Sequence, residues 1–262
     1  MVEYTIDHLS ASQINLYLQC GLKYKFQYVD LIPRPFKSSG LVFGSVVHST
    51  IDWFHKQKMI GKRPSLEMLY KILRADWFCQ KLDSEIRYKE GEEEGKLILT
   101  AREMLNLYYQ SPLDGVMDAE YPFRVPLVNL RTEETLGVAL EGFIDLIGEG
   151  EVLTEFKTTN KTIDPQSADD LLQLTIYGYA YRLVFRKNPK GFRLVNFVKV
   201  KTPKMAVLDT GREEKDYERF FYLAKEVLKG IKSGVFFPRQ SFICKDCEYE
   251  NLCKAWQGNE RS

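Results

Sequence analysis

The sequence is short of several things. No stretch approaches the ~20 apolar residues of a membrane span. The opening MVEYTIDHLSASQ has neither the basic start nor the apolar run of a secretory leader. Both absences point to a cytosolic (cytoplasmic) protein with no membrane partner. Net charge is almost nil, with 37 lysines and arginines against 36 aspartates and glutamates. No global positive field therefore marks a nucleic-acid binder, and any such contact must be local. Cysteine is scarce, five residues in 262, which argues against a disulfide framework. There is no Walker-type glycine loop, so ATP-driven motion would have to come from a partner protein. No internal repeat or low-complexity linker interrupts the chain, which favours a single domain over residues 1–262.

What is present suffices for a core: 44% of residues are hydrophobic and 13% aromatic. Periodicity predicts a capped, aromatic helix over 10–29 that carries Cys20, then a helix over 41–58 with Gly44, His48 and Asp52. Helical patterns over 65–87 and 92–110, ended by Ser111-Pro112, read as a helical insertion spanning 65–110. Strand patterns follow over 119–127, 135–147 and 151–158. A helix over 168–186, a strand over 192–201, a partner strand after Pro203, a helix over 213–233 and a cysteine-bearing tail complete the chain. This order predicts an α/β protein with a mixed central sheet flanked by helices, an N-terminal helical part and a cysteine-rich tail.

The chemistry concentrates in EGFIDLIGEGEVLTEFKTT. Strand alternation puts Glu155 and Lys157 on one face and sends Phe156 to the other, into the core. Asp145 joins them only with the right turn. A two-residue loop sets it opposite Thr154, whereas a three-residue loop ending at Glu151 pairs 148 with 152 and sets Asp145 opposite Glu155. We expect the three-residue loop or an equivalent bulge. Facing carboxylates repel unless a cation sits between them, and hard oxygen ligands suit Mg²⁺ or Mn²⁺. Gln173 and Tyr177, four apart, share a helix face that can point back at the hairpin. A neutral His48 can ligate the metal, with Asp52 one turn later to orient it. Taken singly, His48 and Tyr177 read as ordinary packing.

A second cluster is Cys244-x2-Cys247-x5-Cys253, with Cys20 far upstream as a fourth ligand. Thiolates this close repel unless a metal or cluster shares their charge. Spacing alone leaves zinc and a [4Fe–4S] cluster both open. Cys79 falls outside the pattern and reads as a buried free thiol. Lys23, Lys25, Arg34 and Lys37, interleaved with Tyr24, Phe26, Tyr28 and Phe36, read equally well as a single-strand DNA contact or as a solvated face over an aromatic core. Lys161, Lys199 and Lys201 are weaker candidates.

Asp145 with Glu155-Phe156-Lys157 resembles the signature of the PD-(D/E)xK nucleases. Gly44-x-x-x-His48 and Gln173-x-x-x-Tyr177 resemble the GxxxH and QxxxY motifs of their RecB-like branch. The usual proline before the first Asp is Ile144 here, but Gly142-x-x-Asp145 resembles the form many RecB-like members show. The resemblance runs from Cys20 to Cys253 and is weakest over 65–110. It implies a restriction-endonuclease-like core and a metal held by His48, Asp145, Glu155 and the backbone carbonyl of Phe156. Lys157 would act on the attacking water, and Gln173 and Tyr177 would place catalytic groups and substrate. One cysteine before the nuclease motifs and three after them is the layout of cluster-bearing RecB-like nucleases, among them CRISPR-adaptation exonucleases and the nuclease parts of recombination helicase-nucleases. It implies a [4Fe–4S] cluster on Cys20, Cys244, Cys247 and Cys253.

The resulting expectation is a Mg²⁺- or Mn²⁺-dependent deoxyribonuclease. It would be an exonuclease preferring single strands, with endonuclease activity also compatible, working beside recombination, repair or CRISPR-adaptation partners, and a homo-oligomer is compatible with it. The competing reading is a catalytically inactive module that binds DNA ends or partners and keeps a structural cluster. A weaker third is a zinc-stabilised or redox protein with incidental carboxylates.

Overall fold

The computed structural model describes residues 4–256. Along the chain run β1 (His8–Ser10), α1 (Ala11–Gln19), α2 (Gly21–Tyr24), a π-helical turn (Lys25–Val29), β2 (Lys37–Ser38), α3 (Ser39–Met59), α4 (Leu66–Asp83), β3 (Ile86–Arg87) and α5 (Glu94–Gln110). Then follow β4 (Val116–Val128), β5 (Thr135–Gly148), β6 (Val152–Thr159), α6 (Pro165–Asp169), α7 (Leu172–Phe185), β7 (Gly191–Val198), β8 (Lys204–Thr210), α8 (Glu214–Lys232), a 3-10 turn (Phe242–Asp246) and α9 (Glu250–Ala255). Side-chain caps set several starts. Ser38 accepts from the N–H of Leu41 at α3, Ser65 from that of Met68 at α4, and Asp164 from that of Ser167 at α6, where Pro165 occupies the first turn. Among the described residues no helix is long and apolar enough to cross a membrane.

The residues form two compact units, one of Lys37–Phe123 with Phe143–Arg212, the other of the chain up to Phe36, Arg124–Gly142 and the chain from Glu213 on. The first holds the site-bearing sheet. In it β5 pairs antiparallel with β6, β6 parallel with β7 over eight residues, and β7 antiparallel with β8. The parallel pair requires a crossover, and α6 and α7 supply it. Its core packs α3, α4 and α5 against the sheet through Val46, Leu73, Trp77, Leu105, Phe156 and Phe197. In the second unit β1 runs parallel to the first half of β5, and Leu22, Phe26 and Tyr249 form a small core. Strand β4 pairs with β5, and the sheet is mixed with flanking helices, as expected.

Two predicted helices break. The helix expected over 10–29 stops at Cys20, whose backbone is extended (φ −163°, ψ 106°). The helix expected over 168–186 divides into α6 and α7 at an extended Leu171. There the Arg212 guanidinium also donates to the carbonyls of Ala168 and Leu171, bracing the junction of the two helices. Periodicity does not show that break. Cys79 is exposed rather than buried. Helix α4 buries Leu69, Leu73 and Trp77 at four-residue spacing, and Cys79, two residues past Trp77, falls on the opposite face.

Candidate active site

The hairpin between β5 and β6 turns through residues 149–151, with Glu151 left-handed at φ 56° and its N–H bonded to the Gly148 carbonyl at 2.8 Å. The pairs Leu146↔Thr154 and Ile147↔Leu153 follow, the register of the three-residue loop. It sets Asp145 and Glu155 facing one another, 6% and 2% exposed. Phe156 points the other way, against Tyr108 and Phe197 in the core.

Around the two carboxylates the polar groups converge. His48 Nε2 lies 2.6 Å from Asp145 Oδ2, which also accepts from the Phe156 N–H at 2.9 Å. The Tyr177 hydroxyl lies 2.5 Å from Asp145 Oδ1 and 2.6 Å from Glu155 Oε2, and takes a hydrogen bond from Gln173 Nε2 at 3.1 Å. Lys157 ion-pairs with Glu155. Asp145, Glu155, Lys157, His48 and Gln173 line one open cavity of about 560 Å³, with Tyr177 buried behind them.

The protons follow from this crowding. Burial, then the charge of Asp145, pushes Glu155 up to about 7 against the pull of Lys157. Burial would also raise Asp145, but His48, the Phe156 N–H and the Tyr177 hydroxyl outweigh it and hold that carboxyl low. Burial works against a charged His48, yet Asp145 and Glu120 raise it well above 6.5. Lys157 resists burial through Glu155 and stays a cation. A tyrosine hydroxyl carries one hydrogen, so its two carboxylate contacts are compatible when Glu155 is in its acid form. Without a metal the site thus carries a proton on His48 and, below about pH 7, another on Glu155.

One residue was not legible in the sequence. Glu120, in β4, approaches His48 Nδ1 at 3.2 Å, and ligand atoms of His48, Glu120 and Asp145 all lie within 4.8 Å of one another. Its φ of 53° is left-handed, a conformation that bends a strand and re-aims a side chain. Nothing distinguishes it in sequence from the other acids. It also displaces Asp52 as the orienting group: Asp52 is tied to Lys56 one turn along α3 at 2.9 Å. Glu120→Gln should weaken Mn²⁺ binding by about 10- to 100-fold, measured by titration calorimetry; unchanged affinity would remove Glu120 from the site.

Gly44 has a steric reason. A Cβ there would meet Thr158 Oγ1, next to Lys157, at 3.0 Å. Gly44→Ala gains roughly 1 kcal/mol of helix propensity but must part α3 from β6 by a few tenths of an ångström. We expect stability to change by less than about 1 kcal/mol while cleavage falls roughly tenfold, since His48 rides one turn further along α3. Equal activity in the two proteins would refute this.

The early basic cluster is not an open surface. Lys23 pairs with Glu248 at 2.5 Å, Lys25 with Asp30 at 2.7 Å and Lys37 with Asp83 at 2.6 Å. The Arg34 guanidinium lies beside Tyr249. Tyr24, Phe26 and Phe36 are buried. The rings fill a core, and each of the three lysines has an acid within reach. Lys199 pairs with Glu92 at 3.4 Å, while Lys161 and Lys201 are exposed.

Cys20, Cys244, Cys247 and Cys253 line a second cavity, of about 310 Å³. Burial, then the neighbouring cysteines, pushes the Cys253 thiol up, and burial does the same to Cys247. Such crowding fits a shared metal or cluster that would take up the charge of deprotonated sulfurs.

A mixed sheet with flanking helices that brings opposed carboxylates and a lysine to one polar cavity defines the restriction-endonuclease-like class of fold. The chain belongs to the PD-(D/E)XK nuclease superfamily, whose family model matches residues 8–254. Among solved structures, a Eubacterium rectale protein described as a putative exonuclease aligns with a TM-score of 0.61 at 12% identity, over 98% of this chain and 90% of that one. SSO0001 aligns with a TM-score of 0.38 at 16% identity, over 89% of this chain and 95% of that one. No curated protein matches the sequence.

Proposed function

We propose that the chain is a Mg²⁺- or Mn²⁺-dependent deoxyribonuclease of the RecB-like branch, an exonuclease that prefers single strands and processes DNA ends in recombination, repair or CRISPR adaptation. The observation that carries this reading is the register of the β5–β6 hairpin, which opposes Asp145 and Glu155 at the floor of a cavity shared with His48 and Lys157. His48, Asp145, Glu155 and the carbonyl of Phe156 would hold the cation, with Glu120 beside them. A bound cation supplies Lewis acidity toward the scissile phosphate and the attacking water. Lys157 then orients that water or steadies the phosphate, while Gln173 and Tyr177 fix the carboxylates. The exonuclease description of the Eubacterium rectale protein is consistent with attack at ends.

Four cysteines around one cavity support a [4Fe–4S] cluster. A tetrahedral zinc with bonds of about 2.3 Å holds its sulfurs about 3.8 Å apart. Among the described residues the one group of potential ligands gathered within 4.8 Å is His48, Glu120 and Asp145, not three cysteines.

The test is anaerobically purified protein incubated with end-labelled single- and double-stranded DNA, with Mn²⁺, Mg²⁺ or EDTA, beside Lys157→Ala. Metal-dependent degradation absent from the variant is expected. Intact DNA under every condition, from protein retaining its cluster, would favour a non-cutting DNA-end-binding module.

A further inference from the structure

Helix α7 does more than carry Gln173 and Tyr177. One turn beyond Tyr177 is Tyr181, and one turn further is Phe185, 37% exposed, with the two rings 4.5 Å apart. Phe185 also meets Tyr121 of β4 at 5.3 Å, and Tyr121 directly follows Glu120, the residue that reaches His48. The exposed Phe185 and the half-buried Tyr121 are thus joined to the site from two sides, through α7 and through β4. The same segment, YRLVFRKNPK over 181–190, contains Arg182, Arg186, Lys187 and Lys190 and no acidic residue. Lys187 ion-pairs with Glu151, so the positive charge this segment offers rests on the exposed Arg186 and Lys190. Cations suit a helix C-terminus for electrostatic reasons alone, but that does not account for an exposed phenylalanine ring beside them.

We propose that Phe185 and Tyr121 form a base-stacking platform for the single-stranded part of the DNA substrate, with Arg186 and Lys190 contacting its phosphates. The proposal rests on the nuclease reading above and names how that site selects single strands. A base in a duplex has its faces covered by its neighbours, whereas an unpaired base can stack on an exposed ring. From Tyr177 to Phe185 the helix rises about 12 Å. A stacked strand advancing about 3.4 Å per nucleotide covers that in roughly three to four nucleotides. The platform therefore grips the strand a few nucleotides from the scissile phosphate.

The test uses the full-length holoprotein, made cleavage-deficient by Lys157→Ala, titrated by fluorescence anisotropy with a short single-stranded oligonucleotide and with a blunt duplex of the same length. Adding Phe185→Leu, which keeps apolar bulk but removes the aromatic face, should weaken single-strand binding about tenfold and duplex binding less than about twofold. Phe185→Trp should bind at least as tightly as the parent, and Arg186→Ala should flatten the salt dependence. Single-strand affinity in Phe185→Leu within about twofold of the parent would overturn the platform, as would an equal loss on the duplex or an equal loss in Phe185→Trp. If the platform alone fails, protein with Lys157 restored still cuts DNA. If no form binds or cuts DNA, the nuclease reading has failed with it.

Discussion

Glu155→Gln should abolish metal-dependent cleavage, by at least about a thousandfold, and yet make the metal-free protein more stable near neutral pH and above. Glutamine keeps the shape of the buried side chain but cannot offer the negative oxygen that a divalent cation requires. The stability gain follows from the proton. The unfolded carboxyl ionises near 4.5 and the folded one near 7. Between those values the folded state holds a proton that the unfolded state has lost, so folded stability falls as pH rises through that window. Above it, wild type buries a second charge beside Asp145, whereas the variant does not. Near pH 8 the variant should gain on the order of 1–3 kcal/mol in EDTA, less whatever the Lys157 ion pair contributes, and near pH 4 nothing. Urea denaturation at the two pH values measures this, and a variant less stable than wild type near pH 8 would show that Glu155 is not strained by its neighbours. The same protons tie activity to pH. Metal uptake must displace one from His48, which is held well above 6.5, and one from Glu155. Apparent metal affinity should climb with pH by up to about a hundredfold per unit below 7 and keep climbing above it.

Cys20→Ser or Cys253→Ser should remove the visible-region absorbance of the purified protein and cost on the order of 3–5 kcal/mol, by analogy with cross-links that close long loops. Little else holds the tail. Helix α9 has six residues and none of them is buried, far below the length at which a helix is stable by itself. Besides the cysteines, its neighbourhood is tied down by Tyr249, whose hydroxyl donates to the Ile32 carbonyl at 2.9 Å, and by the Lys23–Glu248 pair. Limited proteolysis should therefore cut near Cys244–Cys253 first in the variants. Cys79→Ser, exposed on α4, should change stability by less than about 0.5 kcal/mol. Cysteine variants with unchanged absorbance and unchanged melting would dismiss the cluster, and absent absorbance in wild type with chelator-sensitive folding would point to zinc.

Local pattern carried much of this far. The periods of 2 and 3.6 marked the strands and helices that bear the site, and the odd-length loop was inferred from the cost of opposing two carboxylates without a cation. Phe156 was assigned to the core by alternation alone. The lysines at 23, 25 and 37 form a row in sequence, and the structure pairs them with Glu248, Asp30 and Asp83. Helix 168–186 looks continuous in sequence, yet the chain breaks at an extended Leu171, beside the Arg212 guanidinium.

The sequence by itself determined which chemical groups are available and in what order. Asp145, Glu155 and Lys157 lie within one hairpin, where spacing and turn length fix geometry, and Gln173 and Tyr177 within one helix turn. Only the tertiary structure decided what meets across long separations: Glu120 with His48, the Tyr177 hydroxyl with both carboxylates, and Tyr121 of β4 with the exposed Phe185 at the end of α7. The reason is that periodicity specifies which way a side chain faces along its own element. What it touches there depends on how elements pack, and proton positions, metal affinity and substrate contacts depend on those contacts.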